Sequence, residues 1–247
     1  MKVFNEKNTL QINKKILVPI KFRPCKKNDF TVKNGLFKNL KINKDISWGK
    51  ADIASKVYGL YENNIQKVLA KIKKPILIDI GAADGFFAIG CIYSGISKHC
   101  YAFEQSDLGR SALAKTAEIN QVSENITIKG EVTNQNFLSL LPQNIDFSKA
   151  IVLCDIEGGE YSFFTEKILK KLEKSHIIIE IHRTQNKNDE IKLMKRVKKS
   201  FNVSVIIGSN NDFSNSPELQ EMSDIDRNLI ACEGRSYIGK WWYLKPL

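Results

Sequence analysis

The segment Pro75-Ile76-Leu77-Ile78-Asp79-Ile80-Gly81-Ala82-Ala83-Asp84-Gly85 constrains the fold more than any other stretch of this chain. Its first six residues form an apolar run broken by one acid, the pattern of a strand buried on both faces, as in a parallel sheet. The glycine-bearing turn leads into Phe86-Phe87-Ala88-Ile89, where a helical pattern begins. A buried strand that turns on glycine into a helix is the opening unit of a doubly wound α/β sheet, and such sheets bind ligands at the carboxyl ends of their strands.

The remaining chain keeps that alternation. Between residues 52 and 72 the apolar positions recur at helical spacing, with a break at Gly59. Further strands are predicted at 100–103, 125–129, 150–154, 177–181, 203–207 and 228–231. Helices are predicted at 86–93, at 107–120 with Asp107 as N-cap, at 163–173, and at 189–201 with Ile191, Met194, Val197 and Phe201 inward. The expected architecture is α/β, a Rossmann-like seven-stranded, mostly parallel sheet with helices on both faces, spanning residues 51–247. Residues 1–50 read as a small N-terminal extension, with a short strand or hairpin in Ile16-Leu17-Val18-Pro19-Ile20 and at 35–40. A long polar loop at 208–227 is expected to be mobile, functional or both.

Composition sets outer bounds. At 247 residues and 43% hydrophobic content, the chain is large enough for one substantial core. Its net charge of +11 comes from lysines scattered along Lys-, Asn- and Ile-rich stretches, which reads as a solvated basic surface before it reads as a site. No run of about 18 apolar residues exists to span a membrane, and the first residues lack the pattern of a secretion signal. Cys25, Cys91, Cys100, Cys154 and Cys232 are odd in number and include no C-x-x-C pair, which suits a reducing cytoplasm better than a disulfide frame or a zinc site. A cytoplasmic location is therefore expected. Peripheral contact with a membrane and the oligomeric state stay open.

Gly81 and Gly85 let the backbone pass close to a ligand where a side chain would collide. Glu104 ends the second predicted strand, about 20 residues beyond the glycines, where an acid accepts the hydroxyls of a ribose. The loop is not G-x-G-x-x-G, and Asp79 precedes Gly81 by two residues. Acids at the loop repel a pyrophosphate and attract a cationic ligand carrying a sulfonium and an ammonium. That sign favours S-adenosylmethionine, with Asp79, Gly81, Ala82, Asp84, Gly85 and Glu104 as the binding set.

From about Gly35 onward the chain also resembles the FkbM-type methyltransferases of the class I superfamily. Gly59-Leu60-Tyr61-Glu62 is similar to the family's G-x-Y-E segment, followed by Ile78-Asp79-Ile80-Gly81-Ala82 and Ala102-Phe103-Glu104. Asp155-Ile156-Glu157-Gly158-Gly159-Glu160 matches the D-[VI]-E-G-x-E signature, and Ile179-Glu180-Ile181-His182 comes after it. Ala83-Asp84 departs from the commoner Asn-x pair, which puts the loop's contact to the methionine end in question. The resemblance implies O-methylation of a hydroxyl on a sugar, glycan or other small molecule. Acids placed like Glu131, just past the third strand, neighbour the adenine in this superfamily; an exposed loop glutamate is the equal alternative.

A sugar hydroxyl is a poor nucleophile and gains from a base or a metal. Asp155, Glu180 and His182 all fall at the strand ends that should face the ligand. Two roles are open for them. In one, His182 is the general base and Asp155 orients it or the hydroxyl. In the other, Asp155, Glu180 and His182, with Glu157 as a further candidate, hold a divalent cation such as Mg2+. Against these stand a structural histidine at 182, helix-start acids at Glu157 and Glu160, and surface histidines at 99 and 176. Trp241-Trp242-Tyr243 is expected to bury area against the sheet edge in preference to stacking on a sugar.

Three rivals remain. A nucleic-acid methyltransferase would use the basic surface, but amino-group methylation of bases calls for [DN]-P-P-[YF] where this chain has Asp155-Ile156-Glu157-Gly158, and acids there repel a phosphate backbone. A nicotinamide-dependent oxidoreductase lacks its glycine fingerprint. A non-catalytic cofactor-binding module is disfavoured by the intact Asp79, Gly81, Glu104 and Asp155.

Overall fold

A computed structural model describes residues 30–43, 52–186, 188–208, 213–214, 216–233, 235 and 237–247. In chain order the elements are α1 (Ile53–Tyr58), α2 (Asn63–Leu69), β1 (Ile76–Ile80), α3 (Phe86–Tyr93), β2 (His99–Phe103), α4 (Asp107–Ile119), β3 (Ile126–Lys129) and β4 (Ala150–Cys154). They continue with α5 (Glu160–Phe163), α6 (Glu166–Lys171), β5 (His176–Glu180), α7 (Asn188–Val197), β6 (Phe201–Ile207), α8 (Pro217–Gln220), α9 (Asp224–Ala231) and β7 (Lys240–Pro246).

The seven strands form one sheet in the order β3-β2-β1-β4-β5-β7-β6. All pairings are parallel except those of β7, which runs antiparallel between β5 and β6. The chain winds outward from β1 in both directions, so the switch point lies between β1 and β4. Ile80 is in register with Phe103 on one side and Cys154 on the other. Gly81, Glu104 and Asp155 therefore leave the sheet at the same level.

Alternating side chains divide the core between the two faces. Leu77, Ile151 and Ile178 pack with α3 and α4 residues such as Ile89 and Leu113 on one side. Ile78, Ile80 and Val152 pack with Phe163, Phe164, Leu193 and Val197 on the other. The segment around Phe37 belongs to the first face: its ring meets Phe86 edge-on with centroids 5.3 Å apart. Gly90 makes that fit possible, because a Cβ there would stand 2.7 Å from the Phe37 ring. Among the described residues no helix is long and apolar enough to cross a membrane.

Several expectations need correction. Residues 228–231 are not a strand; they close helix α9, which Ser223 caps by accepting from the Asp226 amide. A run as short as Leu229-Ile230-Ala231 has no periodicity that separates a strand from a buried helix turn. The seventh strand is β7, which contains Trp241-Trp242-Tyr243 and lies inside the sheet, with both tryptophans buried. Residues 163–173 are not one helix: α5 ends at Phe163, and α6 restarts with Thr165 capping the Ile168 amide. Helix α7 buries Leu193 and Val197, whereas Ile191 faces solvent at 54% exposure and Phe201 already begins β6. Ser106 and not Asp107 caps α4, accepting from Gly109 N–H. The 208–227 loop carries α8 and the start of α9. Residues 35–40 sit in a turn beside an isolated bridge, Thr31 to Lys41, while Ile16-Leu17-Val18-Pro19-Ile20 lies outside the described residues.

Candidate functional site

The turn after β1 is shaped by its glycines. Gly81 has φ +86°, and a Cβ there would meet the Asp155 carbonyl oxygen at 1.8 Å, so no other residue lets the loop cross the end of β4. The Gly81 and Ala82 amides both donate to the Phe103 carbonyl at 2.9 Å. Gly85, also left-handed at φ +84°, starts α3.

Glu104 reaches back over this turn. Its Oε2 accepts the Ala83 amide at 2.9 Å and its Oε1 accepts the Ser106 amide at 2.8 Å. Gly109 leaves room for it, since a Cβ there would stand 2.7 Å from the Glu104 side chain. Asp79, 2% exposed, has a buried Oδ2 with no hydrogen-bond partner among the described residues. Burial, and then the charge of Glu104, pushes the Asp79 carboxyl up to about 7. Asp84 differs: Lys56 Nζ donates to it at 2.6 Å and also pairs with Asp52 at 2.9 Å. Burial alone would lower the Lys56 pKa, but the charges of Asp84 and Asp52 outweigh it and raise it. The Asp84 charge is thus neutralised from within the protein.

Two clefts meet at this edge. One, of about 290 Å³, is lined by Gly81, Ala83, Glu104, Glu131, Asp155 and Phe163. The other, of about 360 Å³, includes Lys56, Tyr61, Asp79, Glu180, His182 and Arg235. Gly81, Ala83, Asp155 and Glu157 belong to both. Each residue expected to bind a ligand or act on one therefore lies on or beside one continuous opening, with Gly85 buried just behind it as the residue that precedes α3.

Asp155, Glu157 and His182 bring one ligand-type atom each to within 4.8 Å of one another. His182 Nε2 stands 3.3 Å from Glu157 Oε2 and 3.5 Å from Asp155 Oδ1. Glu180 is not part of that triplet, because Arg235 Nη1 donates to its Oε1 at 2.6 Å. The same guanidinium pairs with Glu62 through Nη2 and with Glu233 through Nε at 3.1 Å. Burial, followed by the Glu180 charge, lifts the Asp155 carboxyl well above the usual carboxylate range. Burial and the neighbouring Glu233 push Glu62 up to about 8. Burial would lower the His182 pKa, but the Glu160, Glu180 and Glu157 carboxylates raise it above its ordinary value.

Arg235 was not legible as a site residue, since it sits in a loop with no motif around it. Its partner Glu62 and the neighbouring Tyr61 did carry a signal, the Gly59-Leu60-Tyr61-Glu62 segment. His99 and His176 are half-buried at the starts of β2 and β5, touching Thr127 Oγ1 at 2.9 Å and the Tyr243 hydroxyl at 2.8 Å, at the opposite edge of the sheet from these strand ends.

No family model matches the sequence, and no curated protein matches it. Solved structures do resemble the fold. An rRNA methylase from Streptococcus thermophilus aligns with a TM-score of 0.50 at 14% identity, over 75% of this chain and 95% of that one. The METTL16 MTase domain aligns with a TM-score of 0.50 at 14% identity, over 75% of this chain and 67% of that one. An uncharacterized protein from Listeria monocytogenes serotype 4b gives 0.50 at 12%, over 75% and 68%. The chain shares the Rossmann-like fold of these structures.

Proposed function

We propose that this chain is an S-adenosylmethionine-dependent methyltransferase of the FkbM type that methylates a hydroxyl of a sugar, glycan or other small molecule. The observation that carries the reading is the alignment of Gly81, Glu104 and Asp155 at one level of the sheet, around a cleft whose charged side chains are acids. An unpartnered Asp79 Oδ2 belongs to the adjoining cleft, which shares Gly81, Ala83, Asp155 and Glu157 with the first, and a buried carboxylate oxygen of that kind calls for a donor or a cation. The donor set fits S-adenosylmethionine: Glu104 for the ribose, Glu131 for the adenine edge, Asp79 with the 81–85 turn for the methionine end. When bound, that group supplies a methyl already activated on a sulfonium.

The protein's own contribution is alignment and proton removal. Holding an acceptor hydroxyl in line with the methyl is worth on the order of 7–11 kcal/mol by proximity. His182 Nε2 takes the hydroxyl proton, with Asp155 and Glu157 beside it to stabilise the imidazolium. Glu180 and Arg235 form the wall behind them. Mg2+ prefers an all-oxygen shell and demands near-ideal octahedral geometry. The imidazole in this triplet, and the loss of Glu180 to Arg235, favour the proton-transfer role over a magnesium site. The acidic side chain of Glu157 at the acceptor position also weighs against a nucleic-acid phosphate backbone there.

Calorimetry with S-adenosylhomocysteine tests the reading directly. Micromolar binding by the wild type, followed by turnover with a panel of free sugars and small polyols, is the expected result. Wild-type protein that binds no S-adenosylhomocysteine sinks the proposal. Turnover on RNA and not on the panel would replace the acceptor class.

A further inference from the structure

Glu160 opens α5, where an acid ordinarily faces solvent and gains from the helix dipole. Here its side chain is fully buried, at 0% exposure. A carboxylate in such a place must be hydrogen-bonded. Its Oε2 accepts the Gly158 amide at 2.9 Å, and its Oε1 accepts the His182 amide at 2.8 Å. The adjacent Tyr161 hydroxyl donates to the His182 carbonyl. Two consecutive residues of the Asp155–Glu160 signature region and its extension thus grip both sides of the His182 backbone.

The ring lies between carboxylates. His182 is 7% exposed, and its Nδ1 is buried with no hydrogen-bond partner among the described residues. Glu160 Oε1 stands 3.5 Å from that nitrogen. Both Glu160 oxygens already accept from backbone N–H groups, so Oε1 meets Nδ1 as an acceptor and the ring proton belongs on Nδ1. A lone pair on Nδ1 would instead face a buried carboxylate oxygen, an unfavourable arrangement at low dielectric. On the other edge of the ring, Nε2 stands 3.3 Å from Glu157 and 3.5 Å from Asp155, but Glu157 is 85% exposed and screened by water, so it competes for the ring proton less than the fully buried Glu160; Glu180 and Arg235 complete the charged surroundings.

We infer that Glu160 is the positioning residue for His182, holding the imidazole as the Nδ1–H tautomer so that Nε2 presents its lone pair to the acceptor. This rests on His182 being the base, and it moves the orienting role from Asp155 to Glu160. The reasoning is the general one that the tautomer of a catalytic histidine is set by the bond its other nitrogen makes.

The chain has only three histidines, which makes the test clean. Protein labelled with 15N-histidine is examined by long-range 1H–15N correlation at a pH where the imidazoles are neutral, with signals assigned through His99→Gln and His176→Gln. The wild type should show His182 with Nδ1 protonated and Nε2 bare. In Glu160→Gln the Nε2 signal should move toward the protonated position, while unchanged His99 and His176 signals show an intact sheet. A wild-type His182 protonated on Nε2 overturns the inference, and so does a Glu160→Gln variant with an unmoved tautomer. Should that variant unfold, the wild-type tautomer alone decides. Failure of S-adenosylhomocysteine binding would remove the methyl-transfer reading and leave the tautomer result standing, so the two failures are distinguishable.

Discussion

Glu104 and Ala83 are joined by a 2.9 Å hydrogen bond from the Ala83 amide to Glu104 Oε2, which staples the end of β2 to the glycine turn after β1. The same carboxylate accepts the Ser106 amide, so one side chain shapes the turn, begins the cap of α4 and faces the cleft. Hydrogen bonds to a charged group are worth about 1.5–3 kcal/mol each. Glu104→Gln keeps the shape but turns an NH2 group toward one of two backbone N–H donors. Calorimetry should find S-adenosylhomocysteine affinity reduced about 10–100-fold in this variant. Affinity within twofold of the wild type would show that Glu104 serves the turn alone.

The strands nearest the site were legible because they are apolar runs with an acid inside or just beyond their carboxyl ends. Ile76–Ile80 and Ala150–Cys154 could be little else, and register then brought Asp79, Glu104 and Asp155 to one edge. The distal half was harder. Lys240–Pro246 alternates little, although β7 lies between two strands of the sheet, and its aromatics look equally like an edge platform. Glu160 read as a helix-start acid because position in a helix is local, whereas its burial depends on β5 arriving beside α5. Arg235 had no pattern at all: its three partners lie 173, 55 and 2 residues away.

Lys56 and Asp84 form a buried ion pair, with side chains 4% and 5% exposed. Removing one partner of such a pair leaves a buried charge uncompensated, at about 3–5 kcal/mol. Lys56→Met should lower stability by about that amount in urea unfolding. Lys56→Met with Asp84→Asn should recover much of it, because the orphaned charge is gone; Asp52 stays behind but is partly exposed. A double variant as unstable as Lys56→Met alone would mean that Lys56 acts by packing over the Tyr61 and Phe86 rings, which its Nζ approaches at 4.9 Å and 5.5 Å.

Asp79 links stability and ligand binding to pH. Its folded pKa, raised by burial and Glu104 from 3.8 to about 7, exceeds the unfolded value. The folded state therefore holds the proton longer, and stability falls as pH climbs through that window, by at most about 1.4 kcal/mol per pH unit. Glu62, raised by burial and Glu233 to about 8, adds to the same slope. The melting temperature should drop between pH 5 and pH 8, less steeply in Asp79→Asn. Binding of a cationic methionine end favours ionised Asp79, so S-adenosylhomocysteine binding near pH 7 should release protons. Binding enthalpies that do not vary with the ionisation enthalpy of the buffer would place the ammonium elsewhere.

Arg235 holds Glu62, Glu180 and Glu233 with three different nitrogens, a task that a point charge cannot repeat. Arg235→Lys should therefore rescue little. Arg235→Met strands three buried carboxylates at the back of the His182 wall, and a loss of about 3–5 kcal/mol at pH 8 is expected. Its size should depend on pH. Burial, with or without neighbouring charge, already lifts Glu62 and Glu233 above their ordinary values, and without the guanidinium that opposes this they rise further. As pH falls from 8 these two take up protons, and part of the uncompensated charge disappears. The deficit of Arg235→Met against wild type should then shrink between pH 8 and pH 5.5 in urea unfolding. An equal deficit at both values would mean that the arginine contributes packing of its stem and that the carboxylates around it are satisfied by other donors.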